Sequence, residues 1–223
     1  MGDKLKVARQ KIVDKKGDTV AYELLYRNSE ISHNISDNEM TLDVLVTSLL
    51  KIGYSKISDG VKLAINFTDS DLLKNATEML IPDSMILEIL EKIEINELFI
   101  ENLNNYKNKG FRIALDDFKL DNVRDEEVFN YVDIVKVDFM QSNEKERQEI
   151  ERIMNKYDNI TLLAEKIENA NEYKYALDSG YDLFQGFYIS KPEVIYHNNW
   201  KSTFICYNKL KGMIVINYQI WCR

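Results

Sequence analysis

Side chains able to hold a cation recur at the ends of successive apolar, β-branched runs. VAYELLYR carries Glu23, KLAINF carries Asn66, MILEILE carries Glu88, FRIALDDF carries Asp116 and Asp117, and ITLLAEKIE carries Glu165. Between them DIVKVDF brings Lys136 and Asp138, and DLFQGFYIS closes the series with Gln185. A carboxylate at the end of a buried run is costly unless it is paired. A series of them, spaced about 20–45 residues apart, is what the strand ends of a β/α barrel gather on one rim. Oxygen ligands without His or Cys suit Mg²⁺ and Mn²⁺, with Ca²⁺ also admissible. Five carboxylates on one rim repel each other strongly unless cations intervene. Two divalent ions about 3.5–4 Å apart, sharing an aspartate, form an arrangement that cuts phosphodiesters. Lys136 would orient a water or steady charge on a phosphoryl oxygen. Any one of these residues could be a helix cap or a solvated strand end, but adjacent Asp116 and Asp117 after RIAL are more than capping requires. The charged stretch 144–152 reads as a solvated helix face, and Tyr22, Tyr26, Phe184, Phe187 and Tyr188 read as core rather than as base-stacking groups, with room for one of them to line the pocket.

The elements that must position these groups alternate. Residues 6–13 and 19–26 read as a hairpin around Lys15-Lys16-Gly17-Asp18. Strands follow at 61–67, 85–90, 111–118, 134–139, 160–165 and 183–189, separated by helical patterns at 41–52, 69–80, 96–108, 125–131, 143–157 and 170–179. Such alternation means βαβ units around a mainly parallel sheet. Near eight strands favour a closed barrel, with an open doubly wound sheet as the alternative. No GxGxxG or GxxxxGK[ST] loop follows a strand, which weakens nucleotide-cofactor readings.

The bulk properties narrow the function classes. The chain has 223 residues with a net charge of −8, so a nucleic-acid polymer, which is bound mainly through Lys and Arg, is not the expected partner. No apolar run is long enough to span a membrane and the N-terminus lacks a signal core, so a cytoplasmic location is expected. Two cysteines, Cys206 and Cys222, and two histidines, His33 and His197, leave little material for a zinc site or a Ser-His-Asp triad. After Pro192 the βα rhythm is lost in EVIYHNNWKSTFICYNKLKGMIVINYQIWCR, which holds both tryptophans and both cysteines.

Taken in order, the motifs resemble the EAL domain of cyclic di-GMP phosphodiesterases. Glu23-Leu24-Leu25-Tyr26-Arg27 resembles the ExLxR form of the EAL signature, and Asn66 the strand-end asparagine. Glu88 to Glu91 resembles ExxE, Asp116-Asp117-Phe118 resembles DDF, and Lys136-Val137-Asp138 resembles KxD. Ala164 to Glu168 resembles AEGVE, and Gln185-Gly186-Phe187 with Lys191-Pro192 resembles QGY…KP. The resemblance implies a modified (β/α)8 TIM-type barrel with one antiparallel strand. It also implies a two-metal site, using Mg²⁺ or Mn²⁺, that hydrolyses cyclic di-GMP to pGpG, and it allows a homodimer. Glu23, Asn66, Glu88 and Asp116 would hold one ion, and Asp116, Asp117 and Glu165 would hold or approach the other. Glu165 would activate water with Lys136 assisting. Arg27, Gln185 and Asp138 would contact the ligand, with Glu91 and Glu168 standing behind the ligand set.

One departure stands out. Where active family members carry a loop of the form GxGxSS, this chain reads Lys119-Leu120-Asp121-Asn122-Val123. The opening VARQKIVDKKGDTVAYELLYR is most similar to EAL-like domains that precede an HDOD domain, many of which are non-catalytic signalling proteins. The expected organisation is a barrel domain over 1–192 and an atypical tail over 193–223, truncated or non-native, with no HDOD domain. The alternative function is a degenerate module that binds cyclic di-GMP or a protein partner without turning it over.

Overall fold

The computed structural model describes residues 6–25, 49–67, 81–90, 96–119 and 126–196. Among the described residues nine strands run in chain order: β1 Lys6–Asp14, β2 Thr19–Leu25, β3 Lys62–Phe67, β4 Met85–Ile89, β5 Arg112–Leu115, β6 Ile134–Asp138, β7 Thr161–Glu165, β8 Leu183–Phe184 and β9 Glu193–Tyr196. The helices among the described residues are α1 Tyr54–Ser58, α2 Glu97–Asn108, α3 Glu144–Met154 and α4 Ala170–Asp178, with a π-helical turn at Leu49–Gly53 and 3-10 turns at Pro82–Ser84 and Glu126–Asn130.

Strands β2 to β8 are parallel neighbours in sequence order. β1 runs antiparallel to both β2 and β8 and closes the ring. The fold is the modified eight-stranded barrel expected from the sequence, with the first strand as the reversed one. β9 also pairs antiparallel with β1, through Lys6↔Tyr196 to Arg9↔Glu193. Ala8 faces both Leu25 and Val194, so β9 lies on the edge of β1 opposite β2, the same edge that receives β8. The sheet therefore extends four residues past Pro192.

The hairpin is set locally. Asp14 accepts from the amides of Lys16 (2.8 Å) and Asp18 (3.0 Å), and Gly17 takes φ 83°, which glycine does without a Cβ penalty. Three asparagines start three helices: Asn96 accepts from Phe99 N, Asn143 from Lys145 N and Glu146 N, and Asn169 from Asn171 N and Glu172 N. Such caps are each worth about 1 kcal/mol. The helix expected at 69–80 and the first part of that expected at 41–52 lie outside the described residues.

Period-two alternation places the chemistry. On β3 it puts Ala64 and Asn66 on one face, on β4 Ile86 and Glu88, on β6 Ile134 and Lys136, and on β7 Leu163 and Glu165. The apolar members form a buried layer inside the barrel, with Ile12, Ala21 and Ala114. The polar members lie one step further along each strand, at its C-terminal end. The opposite faces, including Leu63, Ile65, Leu87, Ile113 and Val135, pack under α2 and α3 in one larger core. Two expected strands are shorter than their apolar runs. The run at 111–118 leaves the sheet after Leu115, where Asp117 adopts φ 44°. The run at 183–189 stops at Phe184, because the chain turns at Gly186 and both Ile189 and Ser190 donate back to its carbonyl.

Candidate active site

At the C-terminal mouth of the barrel lies a cavity of about 440 Å³ lined by Glu23, Asn66, Asp116, Asp117, Glu165 and Gln185, among others. Below its floor is the Lys136 ammonium, 1% exposed, surrounded by carboxylates. Its Nζ lies 2.6 Å from Asp116, 2.6 Å from Glu165, 2.8 Å from Glu88 and 3.8 Å from Glu23. Five residues from five strands or strand ends thus meet at one point, as the spacing predicts. Asn66 donates to Glu23 at 3.5 Å. Gln185 donates to Glu23 and, at 3.3 Å, to Gln10, whose own amide donates to Ser190 O at 2.9 Å.

One ammonium cannot balance four ionised carboxylates, and the protonation states respond. Burial alone would push Lys136 down, but Asp116, Glu165, Glu23 and Glu88 outweigh it and hold Lys136 well above its ordinary value. Burial pushes Glu88 up to about 8 against the opposing pull of Lys136, with the Glu23 and Asp116 charges adding to the rise. Burial likewise raises Glu165 well above the carboxylate range. The cluster therefore keeps its lysine charged and its deepest carboxyls protonated.

This state has a thermodynamic signature. A Glu88 that titrates near 4.5 when unfolded and about 8 when folded stabilises the fold fully below 4.5 and loses that contribution as pH rises through 8. In chelator-treated protein, the stability difference between wild type and Glu88→Gln should fall with pH over this window, by up to about 1.4 kcal/mol per pH unit. Urea titrations at several pH values measure it. A difference that stays flat would show that Glu88 is ionised in the folded protein.

The donor set suits a hard cation. Asn66 Oδ1, Glu88 Oε2 and Gln185 Oε1 are buried without a hydrogen-bond partner, which is costly for polar oxygens unless something else occupies them. Among the described residues no three Asp, Glu, His or Cys side chains are preset around an ion, because the Lys136 ammonium stands where they converge. Residues and group fit, provided that this ammonium moves aside.

The remaining sequence candidates are placed differently. Asp138 is buried and its carboxylate accepts from Met140 N (2.7 Å), Gln141 N (3.0 Å) and Gln141 Nε2 (2.8 Å), so it anchors a turn. Glu168 is exposed at the cavity rim. Arg27 and Glu91 lie outside the described residues, as do 120–123 of the altered loop. Two contributors escaped the sequence reading, and a third, Phe187, was not singled out by it. Gln10 lines the cavity from the reversed strand. Lys166 pairs with Asp117 at 3.1 Å and with Asp138 at 2.5 Å; burial would lower its proton affinity, but these two carboxylates raise it. Phe187, read as core from its apolar run, is 56% exposed and lines the cavity with Met140, because the turn at Gly186 carries it out of the barrel wall. Tyr188 is exposed as well, whereas Tyr22 and Phe184 are core as expected.

The sequence profile of the EAL domain matches residues 50–192. The chain belongs to the EAL domain family. It is 37% identical over 212 residues to the uncharacterized protein YuxH of Bacillus subtilis, covering 92% of this chain and 51% of YuxH. It is 30% identical over 193 residues to CdgJ of Vibrio cholerae, named a cyclic di-GMP phosphodiesterase, covering 85% of this chain and 44% of CdgJ. The chain thus spans about half the length of these relatives. Among solved structures, BlrP1 of Klebsiella pneumoniae, described as a manganese/cy-diGMP complex, superposes with a TM-score of 0.66 at 22% identity, over 85% of this chain and 56% of BlrP1. In this EAL barrel no helix among the described residues is long and apolar enough to cross a membrane.

Proposed function

We propose that this EAL domain hydrolyses cyclic di-GMP to pGpG with Mg²⁺ or Mn²⁺. The observation that carries the reading is the buried oxygen cluster at the barrel mouth, with its unpartnered Asn66 and Glu88 oxygens beneath a cavity of about 440 Å³. The name of CdgJ and the manganese-containing BlrP1 complex support both substrate and cation class.

Glu23, Asn66, Glu88 and Asp116 would hold a divalent ion, with Glu165 and Asp117 bordering the same space. Bound there, the ion would supply a Lewis acid for a phosphoryl oxygen and a more acidic water. The other roles belong to the chain. Glu165, which would be ionised once a divalent cation balances the cluster, would take the proton of the attacking water. Lys136, freed from balancing carboxylates, steadies negative charge on the phosphoryl oxygens. Gln185 is oriented by Glu23 and Gln10 and keeps its Oε1 free for the ligand. Phe187 and Met140 offer apolar rim surface to a purine ring. Arg27 would bind a phosphate through its planar fork.

A second reading, a module that binds the dinucleotide without cleaving it, is favoured by the replacement of the Gly- and Ser-rich loop at 119–123. Incubation with cyclic di-GMP and Mn²⁺ or Mg²⁺, beside a Glu23→Ala variant, separates the two. Metal-dependent pGpG from the wild type, lost at least about 100-fold in the variant, is the expected result. Binding without product from folded protein would establish the module instead.

A further inference from the structure

We infer that the Lys166 ammonium is a built-in cation that takes the place of a divalent ion at Asp117, so that this site binds one divalent ion where its ligand set could otherwise hold two. The inference deepens the metal-dependent reading above and rests on it.

Two non-glycine residues at the cavity adopt left-handed backbone, Asp117 at φ 44° and Lys166 at φ 55°. L-residues with a Cβ avoid this region unless their surroundings hold them there. Asp117 follows β5 and Lys166 follows β7, so the two flank the end of β6, which carries Asp138. There the side chains meet: Lys166 Nζ reaches Asp117 Oδ1 at 3.1 Å and Asp138 Oδ2 at 2.5 Å. Asp138 is itself fixed by the amides of Met140 and Gln141 and by the Gln141 side chain. Lys166 is therefore not a freely rotating surface lysine, although 42% of its side chain is exposed. It is held at one end by its backbone and at the other by an anchored carboxylate, and Asp117 is the group it presents its charge to.

Asp117 adjoins Asp116 in sequence and lines the same cavity as Glu165, which immediately precedes Lys166. A divalent ion bridging them would have to displace Lys166 from Asp117 and then sit beside an ammonium that Asp138 still holds in place. The position that would accept it already has its countercharge. On the Glu23–Asn66–Glu88–Asp116 side an ammonium must also give way, but the four ion pairs of Lys136 all go to the cluster itself, so an arriving ion takes over the charges that held it, whereas Lys166 keeps Asp138 as an anchor outside the ligand set.

Mn²⁺ stoichiometry on the metal-stripped full chain tests this directly, by equilibrium dialysis with metal analysis and by electron paramagnetic resonance, which detects coupling between two nearby Mn²⁺ ions. Wild type should bind one Mn²⁺ without such coupling. Lys166→Met, which keeps length but not charge, should bind two, with the coupled signal, and Lys166→Arg should return to one. Should Lys166→Met fold poorly, Lys166→Gly serves the same purpose, because glycine adopts the required φ without strain. Two ions in wild type, or one in the neutral variants, would overturn the inference while leaving the metal-dependent function intact. No ion in wild type would overturn the metal-dependent reading itself, and the inference with it.

Discussion

Lys136→Met should be the most damaging single substitution in this domain when divalent ions are withheld. The variant keeps the side chain's length and removes the one cation among the described residues that touches Glu23, Glu88, Asp116 and Glu165. Those carboxylates are between 1% and 11% exposed, so water cannot take over the screening. Breaking a buried ion pair by removing one partner costs about 3–5 kcal/mol, equivalent to a fall in Tm of roughly 10 °C for a domain of this size. The sign of the pH dependence follows from the carboxyls. Below about 5, Glu88 and Glu165 are protonated whether or not the lysine is present, and the loss should be small. Near pH 8 they are driven to ionise against each other, and the loss should be full. Mn²⁺ should restore most of the melting temperature, since a divalent ion supplies the missing charge, but not the turnover, which needs Lys136 itself. Thermal melts with chelator and with Mn²⁺, at pH 5 and pH 8, measure all three effects. A chelated variant that melts within about 2 °C of wild type at pH 8 would show that the lysine does not hold the cluster together.

Gly186→Ala should be nearly as severe, for a steric reason. A Cβ built at Gly186 lies 2.7 Å from the carbonyl carbon of Ile167 and closer still to that residue's nitrogen and oxygen. These are backbone atoms and cannot rotate away. The two segments are also stitched together, Ile167 N to Gln185 O at 3.1 Å and Tyr188 N to Ile167 O at 3.0 Å, so the added methyl must part a hydrogen-bonded seam. Overpacking of this kind costs about 3 kcal/mol. The movement would also draw Gln185 away from Glu23 and Gln10 and carry Phe187 off the cavity rim. Urea unfolding and ligand affinity should therefore fall together. An unchanged urea midpoint would mean that the two backbones are not in contact.

Much of the site was legible because strand alternation and strand-end polarity are local properties. Asn66, Glu88, Asp116 and Glu165 each terminate an apolar run in phase with the interior face, and closing the barrel brings them together without further instruction. The function of Lys136 was less legible. Its sequence neighbourhood shows only a polar residue in a strand, and its use as a buried countercharge exists only once four other strands surround it. Gln10 was missed because it sits on the reversed strand, where it reads as one polar position in a hairpin. Lys166 was missed because nothing in AEKIE announces a left-handed lysine, although a glycine stands at that place in the family motif the segment resembles. Phe187 could not be singled out as the aromatic that lines the pocket, because an apolar run looks like a strand until a glycine turns it outward. The tail after Pro192 was read as breaking the βα rhythm, and its first four residues do so by pairing backwards with β1 rather than by leaving the sheet.

That backward pairing governs when the protein can become itself. Arg9 and Glu193 join across 184 positions of chain, and β8 joins β1 only a little earlier. The β1–β2 hairpin is complete after residue 25, yet one edge of β1 must wait for residues 183–196 to leave the ribosome. At about 5–20 residues per second that wait lasts roughly 10–30 s. Throughout it the nascent chain carries an open strand edge, the feature that invites pairing with other chains, and a half-built ring of acidic side chains. Closure waits on β8, so a ribosome that stalls between Glu165 and Leu183 releases a chain that has every metal-binding candidate and no closed ring to hold them.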